Sequence, residues 1–206
     1  MKIKVCGMRD AKNIAQLCLL PIDYIGFIFY AKSPRFAEKH IDRRTILSIP
    51  RHIQKTGVFV DADMHYISEM EEFFVLDAVQ LHGKETPEMC AEIRETGKTV
   101  IKAFGVGKDF DFTQLDRYED SCDYFLFDTK SDKHGGTGKK FDWEILRKYT
   151  GNIPIFLSGG IGAEDATQIK ELSWLNLAGV DLNSMFESEP AMKDIDLLET
   201  FIKKVK

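Results

Sequence analysis

One pattern constrains this chain more than any other. A short apolar run, a turn and a polar stretch whose apolar residues return every three or four positions recur about every 25 residues. The apolar runs predict strands over residues 3–7, 23–29, 55–60, 77–82, 99–104, 123–128, 153–158 and 177–182. Between them, Ile14, Leu17 and Cys18, or Ile67, Met70 and Phe74, fall at helical spacing. Asp10 opens the first such stretch, Thr86-Pro87-Glu88-Met89 supplies a cap, a first-turn proline and an acid, and Gly97 and Gly151 close two others. Strands joined through short connections and a helix run parallel, because each return crosses over through the helix. Eight such units close into a single-domain (β/α)8 TIM barrel spanning residues 1–206, with an open doubly wound sheet as the alternative. No Pro/Gly/Ser-rich linker interrupts the repeat, which argues against two domains.

Composition removes several function classes. With a formal net charge of -5 and no block of Lys or Arg, the chain is a poor candidate for nucleic acid. No segment approaches the roughly 18 uninterrupted apolar residues of a membrane helix. A strand pattern begins within the first three residues, with no basic-then-apolar leader, so the expected compartment is the cytosol. Cys6, Cys18, Cys90 and Cys122 are far apart and form no C-x-x-C pair, which argues against both a zinc site and a disulfide framework. The basic tail Lys203-Lys204-Val205-Lys206 reads as the cationic last turn of a helix.

Parallel strands covered on both faces are nearly pure apolar, so the polar exceptions are informative. They fall late in their strands: Lys4 and Cys6, Gln80 and His82, Lys102, Asp128, and Asp181 with Asn183. Burying an unpaired charge costs several kcal/mol, so such residues persist either in paired networks or around a ligand. A set drawn from five strands at one end reads as a polar pocket at the barrel mouth, where barrel enzymes do their chemistry. Lys4 and Cys6 share a face by period-two alternation, and Gly7 then turns the chain out. A lone thiol is more often a small buried hydrophobe than a reactive group, and His82 beside Gln80 fits a hydrogen-bond network better than proton transfer.

Two connections stand out. Leu157-Ser158-Gly159-Gly160-Ile161-Gly162 leads into a helix near Ala163-Glu164-Asp165, and the turn Asp181-Leu182-Asn183-Ser184 follows the last strand. Loops after strands seven and eight are the usual phosphate cradle of barrels, because glycines let backbone amides approach an anion. The connection from Thr129 to Lys140, with Lys133-His134-Gly135-Gly136-Thr137-Gly138-Lys139, does not have P-loop spacing and reads as a lid over the mouth.

Lys-Val-Cys-Gly-Met at the start, Ser33-Pro34-Arg35, Gly57-Val58-Phe59-Val60, Gln80-Leu81-His82-Gly83, Phe127-Asp128, Gly135-Gly136-Thr137-Gly138, Phe141-Asp142-Trp143, Leu157-Ser158-Gly159-Gly160 and Gly179-Val180-Asp181 together carry a resemblance. From residue 2 to about 194 the chain resembles the phosphoribosylanthranilate isomerases of tryptophan biosynthesis. That resemblance implies a (β/α)8 barrel that isomerises a phosphorylated small molecule without metal or cofactor, as a monomer or homodimer. It further implies Asp128 as general acid, Cys6 as general base, Arg35 on the anthranilate carboxylate, and Gly159, Gly160, Asn183 and Ser184 around the phosphate. Asp181 is expected either on the substrate's sugar or amino group or in a barrel-rim salt bridge. An acid must keep its proton near neutral pH, which a low-dielectric mouth beside a dianionic substrate favours. A thiol base needs its anion stabilised, and Lys4 is the nearest cation the sequence offers. The chain departs from the resemblance at Asn183-Ser184-Met185, where relatives carry Ser-Ser-Gly, and at Ala191, where a glycine is frequent. Rival readings are another phosphoribosyl-handling barrel enzyme and a barrel that binds a phosphometabolite without turning it over.

Overall fold

The computed structural model describes residues 1–130 and 140–206. Eight strands, β1 (Lys2–Val5), β2 (Tyr24–Ile28), β3 (Gln54–Phe59), β4 (Ala78–Leu81), β5 (Thr99–Val106), β6 (Tyr124–Thr129), β7 (Ile155–Leu157) and β8 (Leu177–Leu182), form a closed barrel in chain order. All pairings are parallel, and β8 closes on β1 with Lys4 beside Asp181 and Val5 beside Leu182. The expected closed barrel is therefore present and the open sheet is not.

Alternation along the strands separates two apolar layers. Tyr24, Ala78, Ile101, Ala103, Leu126 and Phe156 pack together inside the barrel, with the Tyr24 and Phe156 rings edge to face at 5.5 Å. Residues of the opposite parity, such as Ile3, Val5, Val100 and Phe125, pack outward against the helices. This parity corrects one expectation. Lys102 lies between Ile101 and Ala103, so it points away from the interior. Its ammonium donates to the carbonyls of Leu81, Gly83 and Ala103 and to Glu85, and it pins the turn after β4 instead of lining the mouth.

The helices divide according to how far their caps reach. Asp10, Asp42, Asp63, Thr86 and Asp194 each accept from the amide three residues on and open the α-helices α1 (Ala11–Leu17), α2 (Arg43–Ser48), α3 (Met64–Phe74), α4 (Pro87–Glu95) and, at the chain end, one spanning Ile195–Val205. Asp111 and Asp142 instead reach the amide two residues on, and the tighter turn leads into 3-10 helices at Phe112–Tyr118 and Trp143–Lys148. After β7 a single 3-10 turn, Ala163–Asp165, precedes α5 (Ala166–Glu171), which makes the helix at Ile195–Val205 α6. Gly97 closes α4 at φ +84 as expected, whereas Gly151 has no left-handed backbone and closes nothing. An unforeseen hairpin, β9 (Glu187–Glu189) and β10 (Met192–Lys193), follows β8 and turns through Ala191 at φ 70. None of the described helices is long and apolar enough to cross a membrane.

Candidate active site

Cys6 ends β1 on the inner face, its amide bonded to the Leu182 carbonyl at 2.9 Å. Gly26 on the neighbouring strand makes room for it, since a methyl there would stand 2.8 Å from Cys6 Sγ. One layer below, Lys4 is fully buried and its Nζ donates to Asp181 Oδ1 at 2.8 Å. Asp181 thus makes a barrel-rim salt bridge through Oδ1, one of its two expected roles, and its Oδ2 lies 3.5 Å from Ser158 Oγ. Burial pushes the Cys6 thiol above its ordinary 9.0; Lys4 and, more weakly, Lys193 pull it down, while Asp181 pushes it further up. Lys4 is the expected neighbouring cation, but its charge is shared with Asp181 and does not overcome burial, so the free protein holds a thiol here.

Lys193 is a second cation that the sequence reading missed. It sits on β10, its backbone held by Asn13 through bonds of 2.8 and 2.9 Å, and its Nζ donates to Asn183 Oδ1 at 2.8 Å and to Glu187 Oε1. Burial holds Lys193 below its ordinary 10.5 although Glu187 opposes this. Asn183 is turned inward by this bond, so its side chain faces Lys193, and its carbonyl closes a tight turn over Ser184–Phe186 by accepting from Phe186 at 3.0 Å.

Arg35 lies beside the same group. A methyl on Gly7 would stand 2.6 Å from Arg35 Cδ and 2.9 Å from Asn183 Oδ1, so the guanidinium stem crosses directly over the residue after Cys6. The guanidinium is paired within the protein: Nε and Nη2 bond the Glu187 carboxylate at 2.6 to 3.0 Å.

Across the mouth, Asp128 ends β6 on the inner face. Its Oδ1 accepts from the Thr129 amide at 2.8 Å and its Oδ2 lies 3.4 Å from His82 Nε2. His82 Nδ1 is 2.9 Å from Gln80 Nε2, which gives the expected network. Asp128 and His82 line a cleft of about 540 Å³ with Lys84, Phe104, Phe110 and Lys130, on the side of the mouth away from Cys6 and Arg35. Gly159 and Gly160 take φ +89 and +68, and a methyl on Gly159 would meet Thr129 Oγ1 at 2.4 Å and Asp128 Oδ1 at 2.8 Å. Only glycine fits that turn, and it sets the loop after β7 against the carboxyl of β6. The helix start beyond is less available than expected, because the Gly162 amide is taken by Asp165 Oδ2 at 2.7 Å. Lys133 to Lys139, where a lid is expected, lie outside the described residues.

With this geometry the comparisons are decisive. The family profile described as N-(5'-phosphoribosyl)anthranilate (PRA) isomerase matches residues 3–204. The chain belongs to the phosphoribosylanthranilate isomerase family. The N-(5'-phosphoribosyl)anthranilate isomerase of Parabacteroides distasonis is 45% identical over 206 residues, covering 100% of this chain and 93% of the relative. The crystal structure of the Thermotoga maritima phosphoribosyl anthranilate isomerase superposes with a TM-score of 0.86 at 32% identity, over 100% of this chain and 98% of that one. A phosphoribosyl anthranilate isomerase solved with reduced 1-(o-carboxyphenylamino)-1-deoxyribulose 5-phosphate aligns at a TM-score of 0.83 and 29% identity, again over 100% and 98% of the two chains. In this isomerase Asp128, Cys6 and the Gly159-Gly160 turn therefore lie at the carboxyl ends of the sixth, first and seventh strands of the barrel.

Proposed function

We propose that residues 1–206 work as one barrel domain in which Asp128 and Cys6 act on a single substrate from two sides of the mouth. The reaction is the isomerisation of N-(5-phosphoribosyl)anthranilate to 1-(2-carboxyphenylamino)-1-deoxyribulose 5-phosphate, an aldose-to-ketose step of tryptophan biosynthesis. The placement of two inward side chains supports the roles. Going from β1 through β8 and β7 to β6 is three strand steps, about 14 Å around the wall at roughly 4.8 Å per step, and both groups project into the mouth from that arc.

Asp128 gives its proton to the ribose ring oxygen, the bond from that oxygen to the anomeric carbon breaks, and the open chain is an iminium. Cys6, once its thiol proton has left to solvent, takes the proton from the adjacent carbon as thiolate. The electron pair of that C–H bond neutralises the iminium, and the resulting enolamine tautomerises to the ketose. Lys4 and Lys193 offset the burial of the thiolate, and the iminium charge favours its formation while the intermediate lasts. Arg35 takes the carboxylate of the aromatic ring, for which a guanidinium offers two parallel donors. Gly159 and Gly160, with the backbone around Asn183 and Ser184, hold the phosphate, and Asp181 keeps one oxygen for the sugar or the bridging nitrogen. The enzyme's expected setting is the cytosol, as a monomer or a homodimer.

Mixing the purified protein with freshly made phosphoribosylanthranilate tests this. Substrate fluorescence should vanish faster than by spontaneous hydrolysis, and equal decay with and without protein overturns the reading. The rival non-catalytic barrel is excluded if Cys6→Ala abolishes turnover while ligand affinity is kept.

A further inference from the structure

Arg35, Glu187 and Lys193 form a buried triplet in which the reaction scheme above gives roles to Arg35 and Lys193 and none to Glu187. The Glu187 side chain is only 4% exposed and its two oxygens accept from four donors: Arg35 Nε, Arg35 Nη2, Lys193 Nζ and the Ala191 amide. Burial alone would raise its carboxyl, yet the bonds from Arg35 and Lys193 hold it below the usual 4.5. The contact is directional. Glu187 takes the edge of the guanidinium formed by Nε and one Nη2 hydrogen, at 2.9 and 2.6 Å. A guanidinium has a second edge suited to a carboxylate, Nη1 with the other Nη2 hydrogen, and among the described residues Nη1 has no partner. With one edge fixed by Glu187 and the stem lying across Gly7, the direction of the other edge is fixed as well. A flexible arginine would have to lose that freedom on binding, which weakens recognition.

We propose that Glu187 is the positioning residue that aims the second edge of Arg35 at the substrate's ring carboxylate, and that it thereby sets the preference for a carboxylated aromatic amine. Lys193 holds the shared carboxylate from its other side and keeps it from following Arg35. The proposal rests on the assignment of Arg35 to the ring carboxylate made above, and its test separates the two.

The test is a ratio of dissociation constants, measured by calorimetry on the full chain. The probes are reduced 1-(o-carboxyphenylamino)-1-deoxyribulose 5-phosphate and the same compound lacking the ring carboxylate. Arg35→Met should bring the ratio close to one. Glu187→Gln should cut it about 10-fold, as expected for a misdirected charged hydrogen-bond pair, with the uncarboxylated probe weakened less than about 3-fold. Glu187→Asp, which keeps the charge but draws it back by one methylene, should fall between and decides the matter if Glu187→Gln does not fold. In the Arg35→Met background, Glu187→Gln should leave the ratio where it is. A Glu187 side chain that only braces the hairpin weakens both probes alike. An unchanged ratio in the Glu187 variants, with Arg35→Met collapsing it, overturns this proposal alone; an unchanged ratio in Arg35→Met overturns the Arg35 assignment and the proposal with it.

Discussion

The two sides of the barrel mouth are built on opposite principles. On the Cys6 side the charges are buried and paired, Lys4 with Asp181 and both Lys193 and Arg35 with the one carboxylate of Glu187, and the thiol itself fills the space left by Gly26. On the Asp128 side the groups face an open cleft, the one ring neighbour of the carboxyl stands 3.4 Å away, and Gly159 presses against it from the next loop. Burial on the Cys6 side favours the neutral thiol, so the thiolate that acts as base depends on nearby positive charge, whereas the Asp128 carboxyl opens onto the cleft. The difference also implies that removing a charge on the thiol side costs stability, while removing the Asp128 charge costs mainly turnover.

The largest effects should come from the two reacting groups, which break the comparison at its centre. Cys6→Ala and Asp128→Asn should each lower kcat by about 10³-fold or more with KM nearly unchanged, as for loss of a general acid or base, measured by steady-state fluorescence. Loss in only one of them would leave a one-sided mouth. Next, Lys4→Met strands the Asp181 carboxylate in the interior and should cost about 3 kcal/mol in urea unfolding. It should also move the pH profile. The base acts as thiolate and burial already holds its thiol above 9.0, so the rise of the thiolate with pH, read by ultraviolet absorbance, lies past that value. Removing the Lys4 charge moves this rise to still higher pH.

Gly159→Ala sharpens the contact between the two sides. Its left-handed φ costs a methylated residue about 1–2 kcal/mol, and the methyl displaces Asp128. Turnover should therefore fall by more than stability alone explains, as seen by comparing kcat with the unfolding midpoint. The smallest effect belongs to His82→Asn. Its long contact with Asp128 makes a weak bond, so kcat should fall only about 3-fold and the fold should be unaffected.

Most of the barrel was legible because eight apolar runs at one spacing leave few ways to bury both faces. Inward parity was legible only where polar residues marked it, as at Cys6, Gln80, Asp128 and Asp181. Where both faces are apolar, as around Ile101 to Ala103, nothing in the pattern says which side Lys102 takes. The triplet was hidden for another reason. Arg35 and Glu187 are 152 positions apart, and Glu187 and Lys193, six apart, look like any charged surface hairpin. The one available signal was the departure at Ala191, whose left-handed φ makes the turn that brings β10 back beside Cys6.

The most direct measurement uses phosphoribosylanthranilate deuterated at the ribose carbon next to the anomeric centre. The wild-type protein should release that deuterium to water with a primary isotope effect, and Cys6→Ala should bind the reduced product analogue as tightly yet release none. Deuterium appearing in water at the wild-type rate from Cys6→Ala would contradict the assignment of this thiol as the base.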